Sequence, residues 1–189
     1  MKKTVLTFGL IGGAVMAAMM FATLPFVEKI GFDKGEIIGY TTMILAFMLV
    51  FFGIRSYREN VSGGRITFGR AFAVGILITL VSCICYVVAW EIIYFKFMPD
   101  FVDKYASYAV EKVRASGASQ QAIDAQVQQM KSFKAMYDNP FINAAITFCE
   151  PFPIGLIITL ISAAILRKKK IAATVDEGRP AQLQVQEEN

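Results

Sequence analysis

Two carboxylates, Glu91 and Glu150, interrupt otherwise apolar blocks of this chain. A carboxylate in such a block is a candidate ion or proton site, because its charge needs a partner once water is gone. Glu150 is followed by Pro151 and Pro153 and preceded by Asn143 and Thr147. Two arrangements are open. In the first, a helix begins at Pro151, a position that tolerates proline, and Glu150 caps it with its charge at the positive end of the dipole. In the second, the helix runs through from Phe141, and the prolines free the carbonyls of Thr147 and Cys149 and kink it. Asn143, Thr147 and Glu150 then share a face, a broken-helix arrangement that can hold an ion. An ion pair, with Lys96 as partner, is a third option. At ~1.5 Å per residue, Glu91 lies about 31 Å along the helix from Arg70, and Glu150 about 25 Å from Arg167. Both therefore sit near a headgroup layer rather than at the midplane.

Other familiar chemistries lack their residues. The chain has no histidine, which removes imidazole relays, Ser-His-Asp triads and His-based zinc sites. Cys83 and Cys85 are two apart on a helix and point to nearly opposite sides; with Cys149 they read as small hydrophobes inside spans. No metal, cofactor or nucleophile–base pair is expected, and so no enzyme activity.

A second pattern is a near-repeat. Gly75-Ile-Leu-Ile-Thr-Leu-Val-Ser82 matches Gly155-Leu-Ile-Ile-Thr-Leu-Ile-Ser162. Gly75, Thr79 and Ser82, and equally Gly155, Thr159 and Ser162, form a small, weakly polar stripe on each helix. One reading is an inverted repeat around a binding site. The other, preferred here, is a packing seam that lets two membrane helices approach closely.

The elements that carry these residues follow from hydropathy. Apolar residues make up 56% of the 189, and mean hydropathy is +0.51. Four apolar blocks, about 4–27, 37–54, 71–95 and 141–166, reach or approach the ~20 residues needed to cross a hydrocarbon core. Lys2 and Lys3 precede the first block. Arg55, Arg58, Arg65 and Arg70 fill the connection between the second and third, and Arg167 to Lys170 follow the fourth. Excess Lys and Arg stay cytoplasmic, so both termini are expected inside, with 28–36 and 96–140 outside. The four arginines read as topology determinants that meet lipid headgroups, not nucleic acid. A rival reading makes the first block a signal peptide cleaved after Val15-Met16-Ala17. Against it stand the small-residue stripes Gly9, Gly13, Ala17 and Ala14, Ala18, Ala22, which suit a retained packing helix.

Asp33-Lys34-Gly35-Glu36 predicts a capping box opening the second span. Trp90, Tyr94, Phe95 and Phe97 predict an aromatic belt at the end of the third. Residues 99–138 read as a helical hairpin broken at Ser116-Gly117-Ala118, with Ser119 capping its second helix and Asn139-Pro140 ending it. One stripe (Phe101, Tyr105, Tyr108, Lys112) and another (Val102, Ala106, Ala109, Val113) can pack on the second helix, lie on the membrane or meet a partner; packing within the hairpin is the expectation. The polar segment 171–189 reads as a disordered cytoplasmic tail.

Three motifs carry a resemblance: Phe52-Gly53-Ile54-Arg55-Ser56-Tyr57-Arg58, Gly63-Gly64-Arg65-Ile66-Thr67-Phe68-Gly69-Arg70-Ala71-Phe72, and Phe148 to Lys169 with Glu150, Pro153 and Gly155. On these the chain, from Lys3 to Lys170, resembles the bacterial family called domain of unknown function 4199. The resemblance implies a small multi-spanning bacterial membrane protein and brings no activity or cofactor. The expected fold is all-α, a bundle of four transmembrane helices with an extracytoplasmic helical hairpin between helices three and four. The expected partners are the lipid bilayer and, through residues 99–140, a second copy or an envelope protein. Function divides between a non-enzymatic interaction or scaffold protein and a small oligomeric ion- or proton-coupled transporter or channel using Glu91 and Glu150.

Overall fold

The structure, a computed structural model, describes residues 1–168 apart from the Glu28 side chain; the expected tail at 171–189 lies outside these residues, as do Lys169 and Lys170. Every named element among them is helical. α1 (Lys2–Thr23) passes through a 3-10 turn (Leu24–Phe26) into the short α2 (Val27–Ile30). α3 (Phe32–Asn60) and α4 (Phe68–Ile92) follow, and α4 ends in a π-helical turn (Ile93–Phe97). α5 (Phe101–Ala115) and α6 (Gln120–Tyr137) form a hairpin, and α7 (Pro140–Cys149) and α8 (Pro151–Leu166) complete the chain. Four stretches are long and apolar enough to cross a membrane: Lys2–Phe26, Phe32–Asn60, Phe68–Phe97 and Pro140–Leu166.

The second span outruns its apolar block at both ends. Charged residues such as Glu36, Arg55 and Arg58 are good helix formers, so the backbone bonding continues past the point where hydropathy falls. It ends at Asn60, and the turn beyond it uses Gly63 and Gly64, whose φ values of 62° and 79° are open to glycine at little cost. The capping box does not form. Gly31 is the N-cap, no side chain caps the helix, and Asp33 instead accepts from Lys112 Nζ at 2.9 Å. Two other caps do form. Ser119 Oγ accepts from the Ala122 amide at 3.4 Å. Asn139 Oδ1 accepts from the Phe141 amide at 3.0 Å, so Asn139-Pro140 starts the fourth span as well as ending α6.

α4 is the central helix. A Cβ on Gly9 would lie 2.7 Å from Val81, one on Gly12 2.9 Å from Ser82 Oγ, and one on Gly13 would run into Cys85. α1 therefore lies parallel to α4 at backbone-to-side-chain distance, and Met16, within the cleavage site of the rival reading, is 1% exposed in the core. α3 and α8 run antiparallel to α4. The bundle axis is filled by Phe47, Val50, Ile54, Val74 and Ile78, all fully buried. With these directions Lys2, Lys3, the arginines of 55–70 and Arg167 gather at one end, and the α5–α6 hairpin caps the other.

Candidate functional site

The predicted seam is where α4 meets α8, and its registry is reciprocal. A Cβ on Gly75 would come within 2.8 Å of Thr159 Cγ2, and one on Gly155 would collide with Thr79 Cγ2 and meet Phe47 at 2.9 Å. The Thr79 and Thr159 hydroxyls bond each other at 3.0 Å; both residues are fully buried. The arrangement can hold two backbones together and satisfy two hydroxyls, but it encloses no room for a ligand. Ser162 is also buried. Ser82 departs from the expected stripe: its hydroxyl donates to the Gly9 carbonyl of α1 at 3.0 Å. Three residues beyond Thr79, it has rotated about 300° around α4 and faces the other neighbour.

The carboxylates lie at the hairpin end. α7 and α8 meet at Glu150, whose φ and ψ of −74° and −61° keep the chain helical through the join, with no side-chain cap. The join has a part of each arrangement: α8 begins at Pro151 with Glu150 in the cap position, but the Glu150 backbone is helical and its side chain makes no cap bond. The two prolines remove amide donors to Thr147 and Cys149, which divides one span into two helices. Asn143 and Thr147 lie inward on α7 at 0% and 1% exposure. Thr147 Oγ1 donates to Asn143 Oδ1 at 3.1 Å, and Asn143 Nδ2 donates to the Tyr137 carbonyl at 3.2 Å. Both polar groups are thus satisfied by each other and by the end of α6. Glu150 lies at the bundle surface and turns its carboxylate inward, where Oε2 accepts from Tyr86 Oη at 3.0 Å.

Tyr86 is the residue that sequence reasoning missed. It opens a series at i, i+4 and i+8 along α4 and its π-helical turn whose members all reach the fourth span or the end of the hairpin. Trp90 Nε1 donates to Tyr137 Oη at 2.9 Å, and Tyr94 Oη donates to Asp138 Oδ1 at 2.8 Å. The spacing of Tyr86, Trp90 and Tyr94 on one helix face was the available signal. The expected belt is corrected accordingly: Tyr94 is 2% exposed and Trp90 half-buried, while Phe95 and Phe97 remain exposed. An aromatic that can bond inward satisfies its polar atom as well there as at a headgroup. Outside the spans, burial raises the Tyr137 phenol above its ordinary 10.0.

Glu91 does not join this group. Its Oε1 is buried without a hydrogen-bond partner, and among the described residues neither Glu91 nor Glu150 forms an ion pair. Asn143 and Thr147 bond each other and Glu150 accepts from Tyr86, while both Glu150 and Glu91 lie close enough to Tyr137 to act on its phenol. Among the described residues no three His, Cys, Asp or Glu side chains group closely enough to hold a metal. The cysteines are free, with Cys83 buried, Cys85 intermediate and Cys149 exposed.

The hairpin stripes part company. Phe32, at the start of α3, meets Phe101 and Tyr105 edge-on and Tyr108 at a tilt, with 5.8, 5.4 and 5.1 Å between ring centres. That stripe turns to the bundle, not to α6. Val102 packs with Tyr94 and Tyr137. Lys112 joins Asp33 and Tyr108, and the Asp33 bond raises its ammonium above the usual lysine value. Lys134 pairs with Asp103 across the two hairpin helices.

At the opposite end the four arginines are not equivalent. Arg58 Nη1 donates to the Leu166 carbonyl at 3.2 Å and Nη2 pairs with Glu59 at 2.5 Å. Arg70 Nε donates to Tyr57 Oη at 3.2 Å, with its guanidinium 5.9 Å from the ring centre. Tyr57 is buried. Arg55 and Arg65 are exposed.

A family model described as protein of unknown function (DUF4199) matches residues 7–168. No curated protein and no solved structure matches the chain. The matched span runs from within α1 through the other three apolar helices, and takes in the near-repeat, the hairpin and the three motifs except Lys169. The chain belongs to the DUF4199 family.

Proposed function

We propose that this membrane protein is a non-enzymatic interaction or scaffold protein of the bacterial inner membrane, with both termini cytoplasmic and the α5–α6 hairpin outside. The observation that carries the reading is the filled bundle axis. Phe47, Ile54, Ile78, Thr79 and Thr159 are all at 0–1% exposure, and the reciprocal Gly–Thr contacts leave no space between α4 and α8 at mid-bundle. A protomer closed in this way supports contacts at its ends better than passage through its centre. Clustering of Lys2, Lys3 and the 55–70 arginines at one end supports the orientation. The hairpin supplies a surface: Ala106, Val110, Val127 and Met130 line a groove between its helices, rimmed by Glu111 and Lys131. A second copy of the chain or an envelope protein would meet it through 99–140.

The test has two arms. Photoreactive residues at Val127 or Met130 should give discrete protein adducts in native membranes, where the same group at lipid-facing Ile157 gives none. Proteoliposomes holding the intact protein should show no proton or cation flux above empty vesicles.

A second reading, an oligomeric ion- or proton-coupled transporter or channel, is favoured by the buried, unpartnered Oε1 of Glu91. Flux that disappears in a Glu91→Gln/Glu150→Gln double variant would establish it and overturn the first.

A further inference from the structure

α4 packs against α1 on one side and α8 on the other, and a strip of it stays open to lipid between them. Leu77, Ile84, Val88 and Phe95 recur along that strip and are all exposed, at the sevens and fours that keep residues on one helix face. Glu91 falls in the same row, between Val88 and Phe95. Within the four apolar blocks the carboxylates are Glu91 and Glu150, and Glu150 is bonded to Tyr86. Glu91 is half-buried, with Oε1 enclosed and without a hydrogen-bond partner. Lys96 lies in the next turn. A π-helical turn rotates the chain less per residue than an α-helix, so Phe95, Lys96 and Phe97 all stay outward and are exposed. Among the described residues neither Glu91 nor Lys96 has an ion-pair partner. One open face of one span thus carries an acid and a base, about 7 Å apart along the helix, that do not meet within the chain.

We propose that this face binds a second copy of the chain, with two α4 helices side by side and Glu91 of each paired to Lys96 of the partner subunit. Copies inserted in one membrane point the same way, so a two-fold axis along the membrane normal sets like row against like row. Such an interface is self-complementary, and each contact in it occurs twice. The offset between the two charges is within reach of a lysine's flexible four-carbon stem. A partner of another sequence must bring a cation at this depth, whereas a second copy brings it by symmetry. Away from bulk water the two charges attract more strongly than at a fully exposed surface. This face is separate from the hairpin groove, and pairing through it leaves the groove free.

The test is photo-crosslinking of the full chain in native membranes from a photoreactive residue at Val88. An adduct of twice the chain mass is expected, and none from the same residue at Ile157 on α8. Glu91→Lys and Lys96→Glu, each alone, set like charges face to face and should lower that adduct about tenfold. Expressed together, the two variants should restore it, because each supplies the charge the other has lost. Two chains that were only misfolded would not rescue each other. Cross-links at Val88 to lipid alone, or to a protein of another mass, would overturn the interface. So would a two-chain adduct that survives both single variants, or one that the co-expressed pair fails to restore while both variants keep wild-type helical content.

Discussion

α4 meets the fourth span in two ways along its length. At mid-bundle the contact with α8 is made by missing side chains: Gly75 opposite Thr159, and Gly155 opposite Thr79. About two turns toward the hairpin, the contacts are made by long polar side chains: Tyr86 to Glu150 at the join of α7 and α8, and Trp90 to Tyr137 at the end of α6. Lipid tails are as apolar as leucine, so helices in a bilayer gain little by hiding apolar surface from them. Close packing and hydrogen bonds must do the work; the middle joins a close approach to short hydroxyl bonds, and the hairpin end relies on longer polar side chains. The lesson concerns tolerance. A close-packed seam has no alternative geometry, whereas a hydrogen-bonded end can exchange partners, and it is there that the span is broken and the hairpin emerges.

Variants at the seam should have the largest effect. Gly155→Leu drives a side chain into Thr79 and Phe47; overpacking of this kind costs about 1–3 kcal/mol even where neighbours can shift. Here the first obstacle is the facing helix, so loss of the monodisperse folded protein in detergent is expected; unchanged thermal stability would remove the seam from the account. Asn143→Ala should come next. It leaves the buried Thr147 hydroxyl and the Tyr137 carbonyl without their partner, at about 2–3 kcal/mol for the pair. The melting temperature should fall while the α4–α8 contact, probed by a cysteine cross-link, persists. If both fall together, the two regions are one cooperative unit.

A smaller effect should follow pH. The Tyr137 phenol is raised above 10.0 by burial, so its neutral form is the one the folded hairpin favours. That contribution is fully present below pH 10 and is lost as pH rises through the higher folded value. Fluorescence of Trp90, the single tryptophan, should change in that alkaline range, and Tyr137→Phe should abolish the transition. Lys112→Gln should do least. Its partner Asp33 and the ammonium itself are exposed, and exposed pairs contribute little. A melting temperature within error of the wild type is expected; a large drop would mean that the hairpin is held by this clasp and not by Phe32.

Much of the scaffold was legible because its signals are local. The four spans, the Gly117 turn and the Ser119 cap appear where residue type and spacing put them, and Gly75, Thr79, Gly155 and Thr159 meet across α4 and α8. The capping box failed because Asp33 had a competitor, Lys112, 79 residues away. The aromatic belt failed in part because Trp90 and Tyr94 found partners at the end of α6. Arg58 and Arg70 read as headgroup ligands until Leu166 and Tyr57 are seen beside them.

Hydrophobic length and the placement of charge are properties of the chain in one dimension. They determine by themselves that four helices can cross a bilayer and which ends carry the basic residues, since the bilayer acts on every helix alike. Which polar atoms meet depends on how each helix is rotated about its axis and where it crosses its neighbours. Only the tertiary structure decided that Ser82 turns to α1 while Thr79 turns to α8, and that Tyr86 reaches Glu150 across 64 positions. It likewise left Glu91 Oε1 without a partner. A rotation of 100° per residue sends adjacent side chains to different neighbours, and sequence alone carries no record of who those neighbours are.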